Sequence, residues 1–274
     1  MRQQTLGFIG AGNMAGSLIG GLITDGYAPQ NIWVSDVDEA KLKDLAHRFG
    51  VNTSTDNKAV AEAAEILVLA VKPQVMQPVV TDLSTTIQSK SSVLVSIAAG
   101  ITEGALDRWA GGGVAIVRCM PNTPALVKTG ATALHANAKT TTQQRSQAEA
   151  ILRSVGLTVW VEEESSLDAV TALSGSGPAY FFMLMEAMEE AGVGLGLDRA
   201  TARLLTQQTA LGAGRIAIES EEPPAELRRR VTSPGGTTER AIATFEDGNL
   251  RNLVAEAIGA AARRSAELSE QLGG

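Results

Sequence analysis

The first part of the chain alternates short apolar runs with stretches of helical period. Residues 5–9, 32–35, 66–71, 93–97 and 114–118 read as strands, and residues 14–24 and 39–49 read as helices between them. The run 66–71 is apolar at every position, as expected of a strand buried on both faces. Strand, helix, strand, helix predicts a parallel sheet covered by helices on both sides. The last predicted strand is 158–161, and the acidic run Glu162-Glu163-Glu164 follows it. Beyond that point the pattern is helical. Residues 168–173 open this half, and Pro178 sits in the first turn of a long helix, where its missing N–H costs little. Further helices are predicted over 199–219 and 250–272. The expected fold class is therefore α/β, a doubly wound parallel sheet followed by an all-α domain. The domains are expected at 1–162 and 163–274.

Residues 180–185 are apolar on every side, which predicts a helix enclosed by others. Gly212 and Gly214 would weaken an isolated helix but let a neighbouring backbone come close. A small domain keeps much of its surface exposed, so burial of these helices against a second subunit is the expected remedy.

Composition narrows the function classes. The chain has 274 residues, 44% apolar and 19% charged, the balance of a folded protein with a substantial core. Its net charge is −7 and its pI about 5.0, which argues against nucleic-acid and anionic-membrane partners. The run Arg228-Arg229-Arg230 is too short to change that. No apolar run approaches the roughly 20 residues needed to span a bilayer. The N-terminus enters its first strand without the features of a secretory signal. Cys119 is the single cysteine, so no intrachain disulfide forms and a cytoplasmic location is expected. His47 and His135 are single and give no metal-ligand spacing.

The chemistry starts at Leu6-Gly7-Phe8-Ile9-Gly10-Ala11-Gly12-Asn13-Met14-Ala15, a strand, a turn and a helix start. Gly10 allows the tight turn, and Gly12 lets the backbone approach a pyrophosphate. The helix start offers free N–H groups and partial positive charge. Strand before and helix after favour a dinucleotide site of Rossmann type over an ordinary glycine turn. Asp36 ends the second strand, where a carboxylate accepts from both adenosine ribose hydroxyls and repels a 2′-phosphate; the alternative is that it caps the next helix, a task Asp38 could also perform. On this reading Asp36 favours NADH over NADPH. Ala70-Val71-Lys72-Pro73 and Ser96-Ile97-Ala98-Ala99-Gly100 end two further strands, where ligands of open parallel sheets bind. They read as cofactor walls, against the plainer alternatives of a surface lysine and packing alanines.

No Lys and no His follow Lys139, so the second half supplies neither a Schiff-base lysine nor a lysine or histidine proton carrier. Tyr180 is followed at the Tyr-x-x-x-Lys spacing by Leu184. Hydroxyls, carboxylates and backbone amides remain, which suits a substrate carrying its own electrophile, such as a protonated imine. Val231-Thr232-Ser233-Pro234-Gly235-Gly236-Thr237-Thr238-Glu239 combines freely turning glycines with a helix start near Thr238. Such a start forms an anion nest fit for a small carboxylate, or, more plainly, a turn with a threonine cap.

Five ordered segments resemble the pyrroline-5-carboxylate reductase family over essentially the whole chain: Gly7-Phe8-Ile9-Gly10-Ala11-Gly12-Asn13-Met14, Ala70-Val71-Lys72-Pro73, Arg118-Cys119-Met120-Pro121-Asn122-Thr123-Pro124, Leu173-Ser174-Gly175-Ser176-Gly177-Pro178-Ala179-Tyr180 and Ser233-Pro234-Gly235-Gly236-Thr237-Thr238. The resemblance implies a Rossmann domain and a helical domain that interleaves with a partner as a homodimer, with decamers as a further assembly. It implies reduction of Δ1-pyrroline-5-carboxylate to L-proline with NADPH or NADH. Family members often use NADPH and carry a small polar residue where Asp36 stands. The cofactor is then lined by Ile9, Gly10, Ala11, Gly12, Asn13, Met14, Asn57, Ala70, Val71, Lys72, Pro73, Ile97, Ala98 and Ala99, with Cys119 and Asn122 nearby. Arg230 replaces the Asn of some relatives and either reaches a cofactor phosphate from the partner subunit or faces solvent. Ser176, Ser233, Gly236, Thr237 and Thr238 hold the substrate. Glu164 and Glu221 stand at positions near it, where a carboxylate would stabilise an iminium; the plainer alternative for each is a solvated acid within the acidic stretches 162–164 and 219–222. Thr238 and Glu221 are the candidate catalytic residues. The nicotinamide is expected in the cleft between the domains, against Ala98 and Pro73. Two rivals are a β-hydroxyacid dehydrogenase, which shares the domain plan but needs the missing lysine, and a non-catalytic dinucleotide-binding protein.

Overall fold

The computed structural model describes residues 3–273. Among these, eight strands form one sheet in the order β3-β2-β1-β4-β5-β6-β7-β8: β1 Leu6–Ile9, β2 Ile32–Ser35, β3 Asn52–Ser54, β4 Ile66–Leu69, β5 Val93–Ser96, β6 Ile116–Met120, β7 Gly130–Ala136 and β8 Gly156–Trp160. All neighbours run parallel except β6 and β7, which are antiparallel. The predicted strand at 114–118 thus lies two residues further on, and β3 and β7 are strands that the hydrophobic pattern does not reveal. Asn52–Ser54 is polar, and Gly130–Ala136 carries Gly, Thr and His among its alanines, so neither resembles an apolar run.

The chain leaves β1 for β2 on one side and returns to β4 on the other. This reversal opens a crevice beyond the carboxyl ends of β1 and β4, the place where doubly wound sheets bind ligands. Apolar strands supply the core on both faces. Leu6 and Phe8 of β1 join Ile66 and Val68 of β4 in one buried cluster. The alternate residues Ile9, Leu67 and Leu69 join another. The period of two sends successive side chains to opposite faces, which is why these strands have no polar side.

Helices α1 Asn13–Thr24, α2 Glu39–Phe49, α3 Asn57–Ala63, α4 Met76–Lys90, α5 Glu103–Trp109, α6 Thr142–Arg153 and α7 Ser166–Val170 complete this part. One turn of π-helix, Thr171–Gly175, then leads into α8 Gly177–Gly194. The rest is α9 Arg199–Glu219, α10 Pro224–Arg230, α11 Thr237–Asp247 and α12 Leu250–Gly273.

The contacts divide the chain into two compact units. One holds Met1–Ser176 with Ala261–Gly274, the other Gly177–Ala260. In the second unit α8 and α9 pair, tied by Glu189 to Arg199 at 2.8 Å and to Arg203 at 3.0 Å. Gly177, Ala202 and Thr206 are its only buried residues. The apolar run 180–185 is therefore not enclosed within one chain: Phe181 is 64% and Met183 73% exposed. Among the described residues, nothing beyond its own helix backbone lies within 4 Å of where a Cβ on Gly212 or Gly214 would stand.

Candidate active site

The turn after β1 leaves its backbone open to close approach. Gly10 has φ +105°, and a Cβ there would lie 2.7 Å from the Ala70 carbonyl oxygen, so only glycine fits. Its N–H donates to the Ser35 carbonyl at 2.7 Å. Gly12 caps α1 without a side-chain bond, and no acidic residue occupies the first turn. A Cβ on Gly12 would meet nothing. The first-turn amides of α1 are thus uncapped beside open space, at the positive end of the helix.

Asp36 follows β2 and turns inward. Its Oδ2 accepts from the Ala11 N–H at 2.8 Å and its Oδ1 from the Asp38 N–H at 2.9 Å. It fastens the glycine turn to β2. Asp38, not Asp36, caps α2, accepting from the Ala40 and Lys41 amides. Lys41 Nζ stands 4.0 Å from Asp36 Oδ2.

The other expected cofactor residues extend the same edge. The Ala70 N–H donates to the Ile9 carbonyl at 2.8 Å, and the Ile97 N–H to the Leu69 carbonyl at 3.2 Å. Val71 is half-buried and Lys72 exposed, before a short turn that begins at Pro73. Ala98 is buried and Ala99 half-buried. Backbone bonds between adjacent strand ends thus bring Ile9, Gly10, Ala70 and Ile97 together, and the Asp36 carboxylate ties in Ala11, with Gly12 next in the turn. Asn13 and Met14 begin α1, and Asn57 begins α3 after its cap Asp56. Cys119 on β6 is buried, and burial pushes its thiol well above the ordinary range. Both ends of the Asn122 side-chain amide are engaged: Nδ2 donates to the Ser174 carbonyl at 3.0 Å, and Oδ1 accepts from the Ala131 N–H at 2.9 Å. Asn122 thereby braces the π-turn from which Ser176 emerges, and the Ser176 N–H closes that turn on the Thr171 carbonyl at 2.8 Å.

Glu164 is held on the sheet side. Its Oε1 accepts from Arg118 Nη1 at 2.6 Å and from the Glu103 N–H at 2.6 Å. The sequence shows no sign of this link, because Arg118, Glu103 and Glu164 are far apart along the chain.

In the second unit, Gly235 has φ +71°, and the Gly236 N–H closes a turn on the Ser233 carbonyl at 3.0 Å. Gly236 caps α11 without a side chain, which places Thr237 and Thr238 in the first turn with their amides uncapped. The helix start is one residue earlier than expected. Glu239 Oε2 accepts from the Gly235 N–H at 2.7 Å. This bond was legible in principle, since an acid three residues after a helix cap commonly reaches back to the preceding amides. Glu221 is exposed. Arg230 is ion-paired to Glu222 and, at 3.5 Å, to Glu226.

Comparison with known proteins decides the family. A family model described as pyrroline-5-carboxylate reductase dimerisation matches residues 164–268, and one described as NADP oxidoreductase coenzyme F420-dependent matches residues 5–100. A pyrroline-5-carboxylate reductase of Pseudomonas aeruginosa is 50% identical over 273 residues, covering 100% of both chains. The chain belongs to the pyrroline-5-carboxylate reductase family. A solved pyrroline-5-carboxylate reductase structure from Coxiella burnetii superposes with TM-score 0.94 at 46% identity, covering 98% of this chain and 99% of that one. The pyrroline carboxylate reductase of Plasmodium falciparum, solved with NADP bound, superposes with TM-score 0.86 at 28% identity, covering 98% and 99%. The Rossmann-type sheet, the helical dimerisation region and oligomerisation through it accord with these relatives. No helix among the described residues is long and apolar enough to cross a membrane.

Proposed function

We propose that this chain reduces Δ1-pyrroline-5-carboxylate to L-proline at the expense of NADPH or NADH. The observation that carries the reading is a pair of uncapped helix starts: α1 behind Gly12 and α11 behind Gly236. One suits a pyrophosphate and the other a small carboxylate. The open space at Gly12 and the absence of acid from the first turn of α1 fit a dinucleotide. When bound, the reduced nicotinamide supplies the hydride for the carbon of the C=N bond.

The protein's part is positioning and electrostatics. The uncapped amides of Thr237 and Thr238, with Ser233 and Ser176, hold the substrate carboxylate and ring, and Gly236 shapes the turn that presents them. Thr238 donates to the substrate or relays the proton that the ring nitrogen carries before reduction. Glu221 favours the iminium form. Ile9 to Met14, Asn57, Ala70 to Pro73 and Ile97 to Ala99 line the cofactor, with Cys119 and Asn122 behind them. Arg230 reaches a cofactor phosphate only by leaving its acidic partners. Asp36, held close to the turn, favours NADH while leaving NADPH usable. The domains act as 1–162 for the dinucleotide and 163–274 for dimerisation and substrate, with 163–176 and 261–274 packed into the compact unit of the sheet. The working assembly is a homodimer or a decamer built from it, in the cytoplasm, where a lone thiol stays reduced.

Purified enzyme should oxidise both NADH and NADPH when given pyrroline-5-carboxylate and leave 3-hydroxyisobutyrate untouched. Thr238→Ala should lower kcat/KM about tenfold or more, as expected for one lost donor at the reacting molecule. Unchanged kinetics would remove the α11 nest from the mechanism.

A further inference from the structure

We propose that Glu164 is a positioning residue for the nicotinamide wall and acts through Arg118 and the start of α5, without touching the substrate. This rests on the reductase reading, which sets the nicotinamide against residues 97–99.

The wall leaves β5 at Ser96 and runs through Ile97, Ala98 and Ala99 to the Gly100 turn and Thr102, the cap of α5. The sheet holds its first end, through the Ile97 N–H on the Leu69 carbonyl. Its far end enters a helix of 7 residues, too short to hold its own place. There Glu164 takes the Glu103 amide at 2.6 Å and Arg118 at 2.6 Å on the same oxygen. Of the acidic run, Glu162 and Glu163 are exposed and Glu164 alone turns inward. Arg118 is 8% exposed; a guanidinium so buried requires a partner, and Glu164 is the carboxylate bonded to it.

The pair sits in a wider brace. Arg118 on β6 stands opposite His135 on β7, and His135 Nε2 lies 3.3 Å from Glu103 Oε2. Leu268 and Leu272 of α12 pack on the Gly100 turn, and Arg108 Nη2 donates to the Gly273 carbonyl at 2.7 Å. Removing the Glu164 charge leaves Arg118 uncompensated and frees the start of α5, so the wall shifts while the α11 nest is unaltered. Misplacement on the ångström scale is enough to cost orders of magnitude in rate.

The test compares Glu164→Gln, Glu164→Asp and Arg118→Lys with the wild type. The dissociation constants of NADH and NADPH are measured by fluorescence without substrate, alongside kcat, the KM for pyrroline-5-carboxylate and the melting temperature. The expected result for Glu164→Gln is cofactor affinity about tenfold weaker with a lower kcat and an essentially unchanged substrate KM. Glu164→Asp should recover part of the affinity. A raised substrate KM with intact cofactor binding would make Glu164 a substrate ligand and overturn the proposal. So would unchanged constants in a folded variant. If all three variants lose their folded state, the pair serves the whole domain, which overturns it too. Absence of imine turnover in the wild type would defeat the reductase reading alone, since the cofactor constants would still report on the brace.

Discussion

At the scale of single residues, much of the candidate site is backbone, and side chains act mainly by being absent or by holding the backbone still. Gly10 is the sharpest case. A methyl group at this position would meet the Ala70 carbonyl at 2.7 Å, and φ is +105°. Gly10→Ala should cost about 1–3 kcal/mol in strain and weaken dinucleotide binding, measurable as a lower melting temperature and a higher cofactor Kd. Retained affinity would show that the turn adapts. Glycine spacing made Gly10 and Gly12 readable from sequence. Asp36 was readable as a position but not in its full role: its bond to the Ala11 N–H joins residues brought together only by the pairing of β1 with β2.

At the scale of elements, polar pairs set where secondary structures dock. Glu149 on α6 accepts from Trp160 Nε1 at 3.1 Å and from Thr158 Oγ1 at 3.0 Å, both on β8, and also pairs with Arg153. The Trp160 bond first, and Thr158 and Arg153 after it, hold its carboxyl below the usual carboxylate range. A depressed folded value means the contribution is present above the unfolded value and lost as pH falls through the folded one. Glu149→Gln should therefore destabilise the protein at neutral pH by about 1 kcal/mol at most, given solvent screening. The difference from wild type should shrink towards acid, which melting curves across pH would check. Apolar runs identified β1, β2, β4 and β5, but β3 and β7 escaped detection because sheet neighbours, not hydrophobicity, recruit them. The π-turn at Thr171–Gly175 was equally hidden, because Asn122 bonding to the Ser174 carbonyl comes from a distant segment.

At the scale of the molecule, the two units differ in how they are stabilised. The sheet unit has buried clusters on both faces. The unit 177–260 leaves Phe181, Phe182, Met183, Leu204, Leu205 and Leu211 exposed. Exposed apolar area of this extent marks an interface, and the family model described as dimerisation spans this same stretch, 164–268. Phe181→Glu should shift the assembly towards monomer in sedimentation equilibrium and lower its melting temperature, because folding and association are coupled in such dimers. A variant that remains fully associated would move the interface elsewhere.

Local chemistry in the sequence determined the sheet's buried strands, the glycine-led helix starts and the need for a partner surface, because apolar runs, glycine spacing and all-round apolar helices act over a few residues. Tertiary structure alone decided the antiparallel β7, the π-turn and the Glu103–Arg118–Glu164 brace. Each depends on groups separated by tens of residues whose bonds exist only once the strands have paired, so no local pattern encodes them.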